Sequence, residues 1–184
     1  MGTPRFDPTH SLEFNFDRGT VKLGGQSDRV LVPADILASL LKGADPDTRK
    51  DFAHRLGTEA GRRVGERIDG TASIPAVVEH LGGELALMGL GSLAFERWGR
   101  ALVITVAGSP LRADGDELLA GIVEGALQRA FGRASSVVPI QRDDALVRLL
   151  VVSKGTADRV RGWLASGVSF GDALARLNGA GASS

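Results

Sequence analysis

The stretch RKDFAHRLGTEAGRRVGERI (49–68) places Gly57, Gly61 and Gly65 inside a sequence that otherwise predicts one long helix. Glycine in a helix interior costs roughly 0.5–1 kcal/mol relative to alanine. Because residues four apart lie on one face of a helix, the three glycines form a groove without side chains. The spacing therefore predicts that another backbone lies close to this helix.

A second helical stretch, DELLAGIVEGALQRAFG (116–132), repeats the pattern with Gly121 and Gly125. The same argument from helical periodicity applies. Both glycine series predict close helix packing, either within the chain or across a dimer. This is a prediction about architecture, and it carries no chemistry of its own.

Composition limits the classes of function. Acidic and basic residues number 22 each, so net charge gives no bias toward nucleic acid or an anionic membrane. The absence of cysteine excludes disulfides, thiolate nucleophiles and cysteine-ligated metal. No apolar run approaches the ~20 residues that span a membrane, and the first residues lack the apolar core of a signal peptide. We expect a cytoplasmic protein without a membrane span or a nucleic-acid partner.

The order of helical and extended patterns predicts an α+β fold, with a mainly antiparallel sheet of two hairpins covered on one face by helices. Pro139 in the second hairpin predicts an edge strand or a bulge. Thr156 is the expected cap of the first of two extra C-terminal helices. The predicted elements are strands at 12–16, 20–23, 29–33, 90–98, 100–108, 135–141 and 145–153, and helices at 34–43, 48–68, 73–87, 116–131, 156–166 and 169–177.

The domain organisation is predicted to be simple. A flexible arm at 1–10 precedes a single α+β domain at 11–177, and a flexible tail follows at 178–184. The chain has no internal Gly-, Pro- or Ser-rich linker that would divide it.

For each group of candidate catalytic residues, a structural role explains the sequence better than a catalytic role does. Asp143 and Asp144 fall at a predicted hairpin tip, where aspartate favours turns. Glu79 and Glu84 form a second acidic pair, and carboxylates that serve catalysis need burial or a neighbour that shifts their pKa. The glycines in Gly89–Gly91 follow a helix and precede a strand, the reverse of a dinucleotide-binding order. We therefore predict no catalytic residue, no metal site, no cofactor and no enzymatic activity.

The basic residues of the first glycine stretch are expected to face solvent or a partner. Arg63 lies within one helical turn of Glu59 and Glu66, so ion pairs with both are available. The three histidines, at positions 10, 54 and 80, are too scattered to predict a metal site.

The chain resembles the 4-vinyl-reductase-like domain family, in the superfamily shared with aromatic-sensor domains of some bacterial activators and with TRAPP tethering subunits. The resemblance lies in the order of several segments rather than in any single one. These segments are RVLVPADIL (29–37), LGTEAGRRVGERI (56–68), LALMGLGSLAFERWGRALVITVAGSP (85–110), LLAGIVEGALQRAFGR (118–133) and VVPIQRDDALVRLLVVS (137–153).

The resemblance implies an α+β fold, a homodimer, and an apolar pocket between helices and sheet. It also implies small-molecule sensing or protein scaffolding more often than catalysis. The chain departs from the family in one respect: sensor members bind zinc through cysteines, and TRAPP-like members carry an acylated cysteine. Since cysteine is absent here, neither feature is carried over.

Two functional hypotheses follow. The first is a non-enzymatic, dimeric adaptor in a bacterial regulatory or trafficking-like assembly, whose unidentified protein partner docks on the C-terminal helices at Trp163, Leu164 and Phe170. The second is a sensor of an aromatic or lipid-like small molecule. Its apolar pocket would be lined by Leu85, Met88, Leu90, Phe95, Val103, Ile122 and Val123.

Overall fold

The computed structural model describes residues 12–23, 26–68, 72–99, 101–132, 134–144 and 146–180. The predicted arm at 1–10 and the last four residues of the predicted tail lie outside these ranges. The elements in chain order are β1 Leu12–Asn15, β2 Thr20–Leu23, β3 Gln26–Arg29, α1 Ala34–Gly43, α2 Pro46–Arg67, α3 Ile74–Leu87, β4 Ser92–Trp98, β5 Ala101–Ala107, a 3-10 turn Ala113–Gly115, α4 Asp116–Phe131, β6 Ser136–Asp143, β7 Leu146–Val152, α5 Lys154–Ala165 and α6 Phe170–Ala180.

The larger sheet is antiparallel and has the strand order β4-β5-β7-β6. The two predicted hairpins, β4–β5 and β6–β7, join through β5 and β7, where Ile104 lies opposite Leu149. Strand β6 is an edge strand, and its register shifts between Pro139 and Gln141. The α+β fold class and the interpretation of Pro139 are both confirmed.

Both faces of this sheet are buried, whereas the sequence predicted helices on one face only. Ile104 and Leu149 belong to a cluster shared with α2, α3 and α4. Val103, Val138 and Leu150 point to the other face, where they pack against α5 and α6. Successive strand residues alternate between faces, so the second cluster forms because the two extra C-terminal helices cover the opposite side.

Helices α2 and α4 approach each other through their glycines. A Cβ atom added to Gly57 would lie 1.9 Å from the carbonyl oxygen of Ile122 on α4. A Cβ added to Gly125 would lie 2.3 Å from the carbonyl oxygen of His54 on α2. Both distances are far below van der Waals contact, so each helix backbone occupies the space that a side chain on the other would need.

The remaining glycines mark the extent of this contact. A Cβ on Gly61 would lie 2.5 Å from the Ala126 carbonyl oxygen, and one on Gly121 would lie 2.7 Å from the Ala53 Cβ. A Cβ on Gly65 would have no heavy atom within 4 Å. The close packing is therefore within the chain, and Gly65 takes no part in it because it lies one turn beyond the contact.

Helix starts follow local capping chemistry. The Asp45 carboxylate accepts a 2.9 Å hydrogen bond from the Thr48 backbone N–H and caps α2. Helix α5 begins earlier than predicted: Ser153 is its N-cap residue, and the Thr156 N–H donates to the Ser153 carbonyl at 3.0 Å. Thr156 is already in the first helical turn, because β7 ends at Val152 and leaves Ser153 as the junction.

Candidate functional site

Five large apolar side chains between residues 30 and 40 are exposed. Val30 is 84% exposed and Leu40 is 72% exposed. Single exposed apolar residues are ordinary, but a run of them on consecutive elements is typical of an interaction surface. We call this set the N-terminal apolar surface, and it comprises Val30, Leu31, Val32, Ile36 and Leu40.

The exposure of Val30–Val32 corrects the strand expected at 29–33. Strand β3 ends at Arg29, which pairs with Val21 of β2. Gln26 already pairs with Leu23, so the chain turns back early and the apolar residues fall beyond the sheet. They form the connection into α1 instead.

A signal for this surface was present in the sequence of α1. Ile36, Leu37, Leu40 and Leu41 form one apolar stripe about 140° wide along the helix. Leu41 is buried, whereas Ile36 and Leu40 are exposed. The chain therefore covers one side of this stripe and leaves the other side, at Ile36 and Leu40, exposed.

Strands β1, β2 and β3 form a separate antiparallel sheet, which lies outside the two hydrophobic clusters. Among described residues 12–44, the buried apolar side chains are Leu23 and Leu41, and neither belongs to either cluster. An ion pair joins this region to the body of the chain: the Arg29 guanidinium donates to Glu59 of α2 at 3.1 Å. The segment is thus tethered by charge rather than by a shared core.

A buried ion network joins α2 to α3. Glu84 is 0% exposed and accepts from Arg63, 5% exposed, at 2.5 Å and also from Arg67. Glu59 accepts from the other end of the Arg63 guanidinium at 3.0 Å. The expectation that Arg63 faces solvent or a partner is therefore wrong. Its pairing with Glu59 is observed, whereas Glu66 binds Arg62 instead.

Glu59 binds three arginines at the more exposed end of this network. A hydrogen bond from Arg62, together with the charges of Arg62, Arg63 and Arg29, lowers the pKa of Glu59 to about 2. The group is therefore charged throughout the physiological range. Such a carboxylate is suited to holding arginines in place and is a poor proton acceptor.

The candidate acidic residues differ in exposure and in the groups that they bind. Glu79 is exposed, while both Glu84 oxygens bind arginines. Asp143 lies at the hairpin tip, where hydrogen bonds from Arg148 and Gln141 lower its pKa. Asp144 adopts a positive φ of 45°, in keeping with a turn residue. Glu84 and Asp143 thus serve as partners of arginine side chains.

An open groove of about 1160 Å³ runs between α1, the first half of α2, α4, the start of β6 and α5. Its walls carry charges of both signs, including Lys50, Lys154, Glu117 and Asp158. Such a surface does not match a purely apolar ligand. The seven residues predicted to line an apolar pocket are not among those that line this groove.

The structure does not bring those seven residues to one place. Five join the cluster between helices and sheet, where Leu85, Ile122 and Val123 are 0% exposed and Leu90 and Met88 pack beside them. Val103 lies on the opposite face of the sheet. Phe95 is 39% exposed on edge strand β4. A single pocket lined by all seven is therefore wrong, because strand alternation separates Val103 from the rest.

The predicted docking residues of the C-terminal helices are engaged within the chain. Trp163, Leu164 and Phe170 are half-buried and pack on the second hydrophobic cluster. The Phe170 ring lies 5.6 Å from the Trp98 ring, and the Arg176 guanidinium lies 5.5 Å from the Trp163 ring. These contacts hold α5 and α6 against the sheet and leave less of the three side chains for a partner.

Within the described ranges, no group of three or more histidine, aspartate or glutamate side chains is placed to hold a metal ion. No helix in the described part of the chain is both long and apolar enough to cross a membrane.

Comparison with known proteins gives similarity of fold. No protein-family model matches the chain, and no curated protein matches it. Solved structures do match, among them the crystal structure of the phenol-responsive sensory domain of the transcription activator PoxR with phenol. That match has a TM-score of 0.60 and 13% sequence identity, and covers 78% of this chain and 85% of the sensory domain. The chain therefore shares the fold of that sensory domain.

Proposed function

We propose that the chain is a non-enzymatic adaptor that forms a homodimer through its N-terminal apolar surface. The observation that carries this proposal is the exposure of Val30, Leu31, Val32, Ile36 and Leu40 on a segment outside both hydrophobic clusters. Burying such side chains contributes about 25 cal/mol per Å² of apolar surface. A partner would bury the apolar side chains that the single chain leaves exposed.

A second copy of the chain is the occupant that the surface favours. A two-fold interface must be complementary to itself, so its charges have to occur in both signs. Helix α1 carries Asp35 in its first turn and Lys42 in its last, and the whole chain is neutral. Two antiparallel copies of α1 would bring each Asp35 toward the partner's Lys42 end. Helix α1 has no excess of either charge that would match a strongly charged partner.

A non-enzymatic role is supported by the use of the buried charges. The carboxylate of Glu84 and the guanidinium of Arg63 satisfy each other in the interior. Asp116 is likewise held by Arg142. These groups stabilise contacts between elements. In keeping with the resemblance to 4-vinyl-reductase-like domains, we place the protein in the bacterial cytoplasm, in a regulatory or trafficking-like assembly.

Replacing Ile36 and Leu40 together with glutamate is expected to convert a dimer of the 19.2 kDa chain into a monomer. Placing two carboxylates in an apolar interface should raise the dissociation constant by about a hundredfold or more. Size-exclusion chromatography with light scattering, over a range of concentrations, measures the mass. The wild-type melting temperature should also rise with concentration.

Arg49→Glu is the control for this experiment. It places a glutamate at an exposed position of the neighbouring helix α2, outside the N-terminal apolar surface. The control should reduce association less than the Ile36→Glu/Leu40→Glu variant does. A wild-type chain that remains monomeric at every concentration would refute the dimer.

The alternative function is a small-molecule sensor. It is favoured by the fold shared with a phenol-responsive sensory domain. The corresponding space here would be the cluster between helices and sheet, around Leu85, Ile122 and Val123. Because these side chains are fully buried, a ligand would have to displace them or open the cluster.

The sensor function predicts stabilisation by an aromatic or lipid-like compound. A ligand at a hundred times its dissociation constant stabilises the folded state by about 2.7 kcal/mol. Thermal shift with phenol and with a fatty acid tests this, and cyclohexanol provides a non-aromatic control for phenol. No shift with any of these compounds, beside a clear dimer, would favour the adaptor.

A further inference from the structure

The free edge of strand β6 is held by two side chains of the same chain. The Val137 N–H donates to the Glu124 carboxylate of α4 at 2.9 Å. The Val137 carbonyl accepts from the Arg161 guanidinium of α5 at 3.2 Å. Since β6 is an edge strand, these backbone groups would otherwise be available to another strand.

The rest of this edge is also unsuited to pairing. Pro139, two residues further along, has no N–H to donate. The register then shifts between Pro139 and Gln141, which interrupts the regular spacing of backbone groups. Val137 is therefore the position on β6 where an unprotected edge could begin to pair, and it is the position that the two side chains occupy.

A helix approaches the opposite edge of the sheet. Helix α3 lies so close to β4 that a Cβ on Gly82 would be 3.0 Å from the Leu93 carbonyl oxygen. The absence of a side chain at Gly82 lets the helix approach that strand at Leu93. Glu124 and Arg161 act at the other edge, on Val137.

We propose that Glu124 and Arg161 form a clamp that closes β6 to strand addition, and that removing the clamp allows β6 to pair with β6 of a second copy. A second copy fits because two-fold pairing brings identical strands together in antiparallel orientation. Val137 and the residue after it, Val138, are β-branched and favour extended structure. The two clamp residues come from α4 and α5, which pack against opposite faces of the sheet. Both helices are therefore needed to hold them.

The test uses full-length variants in the Ile36→Glu/Leu40→Glu background, so that association through the N-terminal apolar surface does not contribute. In Glu124→Ala, exchange of the Val137 amide hydrogen should accelerate by about tenfold, because its hydrogen bond is lost. The double variant Glu124→Ala/Arg161→Ala should form larger species at concentrations where the parent is monomeric. Hydrogen exchange by NMR and light scattering give the two readouts.

Matched controls lie on the same helices. Glu117→Ala removes a carboxylate from α4 that lines the groove, and Arg159→Ala removes an exposed guanidinium from α5. Glu124→Gln keeps an acceptor oxygen and should keep Val137 protected. Glu124 is half-buried, so the Glu124→Ala variant can unfold. The Arg161 side chain is 42% exposed, so Arg161→Ala removes the hydrogen bond to the Val137 carbonyl with less risk to folding. Unchanged exchange at Val137 in Glu124→Ala, or a double variant no larger than its controls, would overturn the proposal.

Discussion

Replacing Gly57 with alanine is expected to lower the free energy of unfolding by about 3 kcal/mol or more. The added Cβ would lie 1.9 Å from the Ile122 carbonyl oxygen, where ordinary contact begins at 3.4 Å. The obstacle is backbone, so α2 and α4 would have to separate. Separation would also loosen the contacts of Ala53 and Ala126, which are buried in the same cluster. Urea unfolding followed by circular dichroism measures the loss.

Gly65→Ala provides the control on the same helix. No heavy atom lies within 4 Å of the Cβ it would add. Alanine is the better helix former by up to about 1 kcal/mol, so this variant should be as stable as the parent or more stable. Equal losses of stability at Gly57 and Gly65 would contradict the role assigned to the contact. The same reasoning predicts that Gly61→Leu, with a Cβ 2.5 Å from the Ala126 carbonyl, damages folding.

The glycine contact shows what the sequence could predict. Spacing by four is a local property of a helix, so the face carrying Gly57 and Gly61 follows from the sequence alone. Which helix lies against that face, and where the two axes diverge, depends on packing of whole elements. For that reason the sequence predicted close approach but placed Gly65 within it.

The ion network shows what the sequence could not predict. Arg63 and Glu84 are 21 residues apart on different helices, and each alone resembles a solvent-facing charge. Their meeting depends on how α2 and α3 turn toward each other. Val103 was misplaced for a related reason. When both faces of a sheet are covered, its strands are nearly continuous apolar runs, and the pattern does not tell which cluster a residue joins.

Replacing Glu84 with alanine is expected to lower the free energy of unfolding by about 3–5 kcal/mol. The substitution leaves the Arg63 guanidinium in the interior without its 2.5 Å partner. Glu59 still binds the other end of Arg63, at 3.0 Å, and limits the loss. Glu66→Ala removes the 60% exposed carboxylate paired with Arg62, and should cost no more than about 1 kcal/mol. Comparable losses in the two variants would contradict the importance of burial.

A double-mutant cycle separates the loss of the ion pair from the loss of packing. Glu84→Leu alone leaves the buried Arg63 with Glu59 at its other end. Arg63→Met alone leaves Glu84 with Arg67, which is 29% exposed. Glu84→Leu/Arg63→Met removes both charges while keeping comparable volume, so it should be more stable than the Glu84→Leu single variant. Additive losses would mean that the two charges do not interact. Recovery in the double variant would show that the penalty comes from an unpaired charge between α2 and α3.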